Sequence, residues 1–111
     1  MRPDDRVRLR HMVDAAREAI DSAAARKRED LEADHVWALG LVKCVEIIGE
    51  AASRLEEDTR DLCPEIPWAA IVGMRNRLVH AYFDVDLEQV WKTVTSDLPA
   101  LLPSFEKMLG E

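Results

Sequence analysis

Between Val36 and Leu55 the apolar residues cover most of the circumference of a helical wheel. The polar exceptions include Lys43, Glu46, Glu50 and Arg54, with Ser53 beside them. Their spacings of three, four and four place them on one narrow stripe, because residues three and four apart share a helix face. Lys43/Glu46 and Glu50/Arg54 are of opposite charge and form local pairs along it. Asp34 is a suitable N-cap just before the segment. A helix this apolar must be buried on nearly all sides. A chain of 111 residues has little else to wrap it with, so part of the helix is expected to face a second subunit. Gly40 and Gly49 would allow a neighbouring helix to come close.

The other segments are also helical in pattern. Leu9, Met12, Val13, Ala16, Ile20 and Ala23 repeat at three and four residues, and Asp4 or Asp5 can cap this first helix. It is expected to run to about Arg26. Arg6, Arg10 and Arg17 on its other side are mixed with Asp14, Glu18 and Asp21, a solvated face rather than a nucleic-acid track. Arg26-Lys27-Arg28-Glu29-Asp30 reads as a charged loop, and Glu56 to Asp61 as a polar connector. Asp86 is a plausible N-cap for a helix carrying Leu87, Val90, Trp91, Val94 and Leu98. Pro99 and Pro103 break or restart that helix, and Leu101, Leu102, Phe105, Met108 and Leu109 form a last short one. The expected fold is all-α, one domain over residues 1–111, an antiparallel bundle of four to five helices forming a symmetric homodimer.

Charge and composition exclude several classes. The formal charge of −7 argues against a general nucleic-acid coat, though a local basic cleft can coexist with acidic outer faces. No run of eighteen apolar residues exists, and Met1 to Asp5 is polar. No membrane span or signal peptide is therefore expected, and the cytoplasm is the default location. Cys44 and Cys63 have neither disulfide-framework nor metal-ligand spacing, and His11 and His35 are isolated. No metal or cofactor is called for.

The stretch richest in chemistry is Arg75-Asn76-Arg77-Leu78-Val79-His80-Ala81-Tyr82. A helix pattern starts before it at Pro67-Trp68, and Ile71, Val72, Leu78 and Val79 cluster on one face. Arg75 falls in the middle of that face. A guanidinium there is either a structural arginine in an ion pair or a functional one at a cleft or interface. His80 reads either as a helix C-terminal histidine or as a titrating group. In a continuous helix it would point about 140° away from Arg75. The two meet only if the helix loosens near Val79 or if two copies of the segment build one cleft. Glu50 reads as the partner of Arg54 or as an acid that orients Arg75 or His80.

Arg75, four residues, His80, Ala81 and Tyr82 match the R-x4-H-x-Y motif of the HepT-like toxins, small helical ribonucleases of the HEPN superfamily. Ile47 to Ala52, Pro64 to Trp68, Ile71 to Asn76, Phe83 to Asp86, Val90-Trp91 and Leu98-Pro99 resemble further family segments in the same order. The resemblance implies a toxin that cleaves RNA without a metal. His80 would take the proton of the 2′-hydroxyl, and Arg75 would hold the phosphate whose charge builds up in the transition state. Asn76 and Glu50 would be supporting residues, and Arg77 a contact outside the cleft or a solvated charge. A symmetric dimer would bring a second His80 and Arg75 to the same cleft. The resemblance also implies that a partner nucleotidyltransferase antitoxin transfers AMP to the Tyr82 hydroxyl and silences the toxin. The bland reading of Tyr82 is a ring packed at a helix end. The alternative function is a non-catalytic helical module that binds a nucleotidyltransferase.

Overall fold

The computed structural model describes residues 1–81 and 84–111. It is mainly helical. The elements are α1 (Pro3–Ala23), α2 (Asp30–Ala33), α3 (His35–Arg54), α4 (Glu57–Asp61), α5 (Trp68–Val72), a 3-10 turn (Met74–Arg77), β1 (Val79–Ala81), β2 (Asp84–Val85), α6 (Leu87–Lys92), a π-helical turn (Thr93–Asp97) and α7 (Leu98–Leu109). The long α1 packs on α3 and on α7, and α3 also carries α5 and the 3-10 turn. Leu9, Met12, Val45, Ile48, Val90, Val94 and Phe105 are fully buried where these helices meet.

The N-terminal half follows from local signals. Asp34 caps α3, its side chain accepting from the Trp37 backbone N–H at 3.0 Å. Toward the core α3 turns Ala38, Leu41, Val42, Val45, Ile48 and Ala52. Within one chain, however, it leaves Val36, Leu39 and Ile47 exposed. The first helix stops at Ala23, short of the expected Arg26. Beyond it, Arg26 stacks its guanidinium 4.3 Å from the centre of the Trp37 ring, and Arg28 pairs with Glu32 and Glu88. Two arginines of the basic triplet are thus committed to packing.

Asp5 is not a cap. Arg2 occupies the N-cap position, with Pro3 in the first turn, where its missing N–H costs nothing. Asp5 is fully buried and accepts from the Thr59 hydroxyl at 2.5 Å, the Glu56 backbone N–H at 3.1 Å and Arg8 at 2.8 Å. Its carboxylate therefore ties α1 to the start of α4. Burial pulls its pKa upward, but the bonds from Thr59, Arg8 and Glu56 outweigh that and leave it below the ordinary value. The connector expected to be irregular is helical at α4 because Asp5 takes up one of its free N–H groups. The arginines of α1 are likewise engaged. Arg6 donates to the Leu109 carbonyl at 2.9 Å, Arg17 to Glu106 at 2.6 Å, and Arg10 pairs with Glu111.

The last helices of the chain depart from expectation. The two proline-separated helices are one continuous helical rod, from Leu87 to Leu109. Its middle turn is π-helical, so the chain widens just before Pro99, which has no N–H to offer the turn behind it. Asp86 caps the rod by accepting from the Gln89 N–H at 3.1 Å. Gly110, with φ of 82°, closes it in the left-handed conformation that glycine adopts freely. None of the helices among the described residues is long and apolar enough to cross a membrane.

Candidate functional site

The motif begins on a helix that stops early. α5 ends at Val72, and Gly73 leaves it with φ −88° and ψ 0°, outside the helical well. The chain then tightens into the 3-10 turn, with the Asn76 N–H bonding the Gly73 carbonyl at 3.1 Å and the Leu78 N–H bonding that of Arg75 at 3.0 Å. The apolar positions that reach the core are Ile71, Met74 and Leu78, not Val72, which is 40% exposed. Pattern reading overlooked Met74.

What holds this turn against α3 is Gly49. A Cβ at Gly49 would stand 3.2 Å from both the Ile71 and the Val72 carbonyl oxygens. A bare Cα here lets the end of α5 lie directly on α3. Trp68 anchors the other end of α5. Its indole N–H points at the Arg60 and Cys63 carbonyls, each 3.2 Å away, and its ring stacks on Phe105 with centres 6.5 Å apart. Gly40, the other candidate for close approach, faces open space: a Cβ there would meet nothing within 4 Å.

Between α3 and the turn lies a cleft of about 290 Å³ lined by Glu46, Gly49, Glu50, Ser53, Val72, Arg75 and Asn76. Arg75 is half-buried. Its Nε is hidden from solvent and has no hydrogen-bond partner among the described residues, so its exposed surface belongs to the rest of the side chain. The nearest carboxylate oxygen is that of Glu46, 3.7 Å from Nε, which is an ion pair but too long for a hydrogen bond. The other oxygen of Glu46 accepts from Lys43 at 2.9 Å. Glu50 pairs with Arg54 at 3.9 Å and shares the cleft with Arg75 without bonding it. The cleft lining itself carries two carboxylates, Glu46 and Glu50, and one guanidinium, Arg75, while Lys43 and Arg54 pair with those carboxylates from outside the lining. Arg77 is exposed and lies outside this cleft. Glu46 is the contact that sequence reasoning missed. Its pairing with Lys43 was visible in the spacing, but its approach to Arg75 is tertiary.

His80 is held elsewhere. The short antiparallel ribbon pairs Val79 with Val85 and Ala81 with Asp84, so one extra residue sits in β1. That residue is His80, at a β-bulge, a feature that re-aims a side chain. The helical geometry drawn for Arg75 and His80 therefore does not apply. β-branched Val79 and Val85 pair instead, and the Asp86 N–H donates to the Leu78 carbonyl at 2.7 Å. The His80 ring is 58% exposed, and its Nε2 lies 3.3 Å from Asp86 Oδ2. The N–H of Gln89 and then His80 hold the Asp86 carboxyl below its ordinary pKa. His80 is absent from the lining of the Arg75 cleft. Tyr82, the expected modification site, lies outside the described residues.

A second groove, about 490 Å³, runs between α1 and α3 and shares Glu46 and Glu50 with the first. Exposed Val7 and Ile47, together with His11, lie along it. Among the described residues there is no group of three or more His, Cys, Asp or Glu side chains placed to hold a metal ion.

The profile of the family described as "Ribonuclease HepT-like" matches residues 12–108. A protein of Thermococcus cleftensis named "Probable ribonuclease HepT" is 44% identical over 80 residues, 72% of this chain and 73% of that one. "Putative RNase TTE0752" of Caldanaerobacter subterraneus is 32% identical over 101 residues, 91% of this chain and 90% of that one. "Putative RNase MJ1216" of Methanocaldococcus jannaschii is 41% identical over 71 residues, 64% of this chain and 59% of that one. No solved structure matches.

Proposed function

The chain belongs to the ribonuclease HepT-like family, and from that premise we propose that it is a metal-independent endoribonuclease, the toxin of a toxin–antitoxin pair. The observation that carries this reading is Arg75, held in a cleft with Nε hidden and the rest of the guanidinium side chain open to solvent. Arg75 would grip the scissile phosphate, whose oxygens gain charge as the reaction proceeds. His80 would take the proton from the 2′-hydroxyl of RNA. The 2′-oxygen then attacks phosphorus, the bond to the 5′-oxygen breaks, and that oxygen takes a proton from water or from a protonated His80 of the second copy, leaving a cyclic phosphate and a 5′-hydroxyl. Asn76 would donate to the same phosphate, and Glu50 would hold Arg54 at the rim.

Within one chain His80 and Arg75 do not line one cleft, which supports a site completed by a second copy. Exposed Val7, Ile47 and Val72, around the cleft and along the adjoining groove, are apolar surface that a homodimer would cover. Silencing follows by AMP transfer to Tyr82. The hydroxyl would attack the α-phosphorus of ATP, pyrophosphate would leave, and a nucleotidyltransferase antitoxin in the cytoplasm would be the catalyst. An added anion two residues from His80 repels RNA phosphates.

The test is cleavage of RNA by the purified chain in EDTA. Wild type should cut, and His80→Ala and Arg75→Ala should each lose about 100-fold or more while keeping the wild-type circular dichroism spectrum. A folded wild-type chain that cuts no RNA would favour the non-catalytic partner module instead.

A further inference from the structure

We propose that Asp86 is a positioning residue that fixes the tautomer of His80 and leaves Nδ1 as the nitrogen that accepts the proton. This rests on the reading of His80 as the base. An ionised carboxylate has only acceptor oxygens. Asp86 Oδ2 lies 3.3 Å from His80 Nε2, so the proton of a neutral ring facing it belongs on Nε2. Nδ1 is then bare. In the cleavage step the proton of the 2′-hydroxyl moves to Nδ1 while the oxygen–phosphorus bond forms.

The carboxylate is well placed to impose this choice because it is itself fixed. Oδ1 accepts the Gln89 N–H at 3.1 Å as the cap of α6. The Asp86 backbone N–H donates to the Leu78 carbonyl at 2.7 Å, across the base of the ribbon. Both ends of the residue are thus tied to rigid elements. The lowered pKa of Asp86 keeps it ionised, and so an acceptor only, at neutral pH. On the other side, the bulge at β1 gives His80 its direction. One side chain therefore starts a helix with one oxygen and orients the histidine with the other.

The two tasks can be separated. Asparagine caps helices as well as aspartate does, accepting the Gln89 N–H with its oxygen. That orientation turns its NH2 group, a donor, toward His80. The ring must then present a bare Nε2 and carry its proton on Nδ1, the wrong tautomer for the step. Asp86→Asn should melt within about 3 °C of wild type. It should cut RNA at least about 100-fold more slowly, with the loss in kcat rather than KM. Asp86→Ser keeps the cap but removes the partner, so the ring is free to choose and the loss should be nearer tenfold, roughly.

Imidazole nitrogen NMR above the titration range reads the tautomer without any RNA. The His80 signal is assigned by its absence in His80→Ala, which sets it apart from His11 and His35. Wild type should show the proton on Nε2 and Asp86→Asn should show it on Nδ1. A wild-type ring protonated on Nδ1, or an Asp86→Asn variant that keeps the Nε2 proton, overturns the proposal. So does a folded Asp86→Asn or Asp86→Ser variant that cuts at the wild-type rate while His80→Ala does not. If His80→Ala itself cuts at the wild-type rate, the ribonuclease reading of His80 fails, and the spectra alone decide the tautomer.

Discussion

Replacing Gly49 by alanine tests how the cleft is built. Two terms oppose each other. Alanine in a helix interior gains about 1 kcal/mol of propensity over glycine. Against this, the new Cβ would lie 3.2 Å from two consecutive carbonyl oxygens of α5, and ordinary contact begins at about 3.4 Å. α5 must retreat by a few tenths of an ångström. It cannot retreat freely, because Ile71 is buried at its C-terminal end and Trp68 is bonded and stacked at the other. Overpacking of this kind costs about 1–3 kcal/mol. The expected net loss is therefore small, about 0–2 kcal/mol. Gly40→Ala supplies the reference. Nothing lies within 4 Å of a Cβ there, so it should gain the propensity term alone, about 1 kcal/mol. Urea unfolding of both variants, compared at equal slope, isolates the contact as their difference. The functional consequence should exceed the structural one. Arg75 follows α5 by three residues, and a shift of the turn misplaces its guanidinium in the cleft. A 1 Å error in a positioned group costs about 100-fold, so a few tenths should lower RNA cleavage by about tenfold. If Gly49→Ala gains as much stability as Gly40→Ala and cuts at the wild-type rate, α5 is not pinned at Gly49 and the reasoning fails.

Three further outcomes are expected. Arg75→Lys should lose most of the cleavage rate, on the order of 100-fold, because an ammonium cannot replace the planar two-pronged contact; kinetics on a folded sample check this. Tyr82→Phe should cut RNA nearly as well as wild type yet remain active after incubation with its nucleotidyltransferase and ATP, and mass spectrometry should find the adenylate on the Tyr82 peptide in wild type only. Asp5→Ala should cost about 2–4 kcal/mol at neutral pH, since it strands the buried Thr59 hydroxyl and removes the acceptor of the part-buried Glu56 N–H. Because the folded pKa of Asp5 is depressed, its stabilisation is complete above the unfolded value near 3.8 and is lost as pH falls through the lower folded value. The stability gap between wild type and Asp5→Ala in thermal melts should therefore narrow below about pH 4; a gap that stays constant to pH 2 would assign the loss to packing alone.

The long helices were legible in the sequence because their signals are local and repeated. α3 shows its stripe and both of its charge pairs within its own twenty residues, and its cap in the residue just before them. Asp86 was legible as a cap for the same reason. Asp5 was not, because an acid in a first turn has the same local appearance whether it faces water or Thr59, and Thr59 is fifty-four residues away. The ribbon was invisible because three residues against two are too few to display an alternating pattern. The α6–α7 rod was divided at Pro99 because the rule about proline is local, while the wide turn that accommodates it is set by packing along α1 and the core.

The motif itself shows why residue types can be read when geometry cannot. Arg75 was placed on an apolar helical face, and it is indeed half-buried beside buried Met74, but on a 3-10 turn rather than on a continuing helix. A helix through Val79 would have fixed the angle between Arg75 and His80 by pitch alone. With Gly73 ending α5 and a bulge at His80, that angle is set instead by two separate anchors: α3 beneath Arg75, through Gly49, and the cap of α6 beside His80, through Asp86. The four residues between Arg75 and His80 are then a connector between two independently fixed groups. Changes at Gly49 should displace the arginine and leave the histidine tautomer untouched, whereas changes at Asp86 should alter the tautomer and leave the Arg75 cleft intact. Measured together, the two variants should multiply their losses in cleavage, as independent supports do.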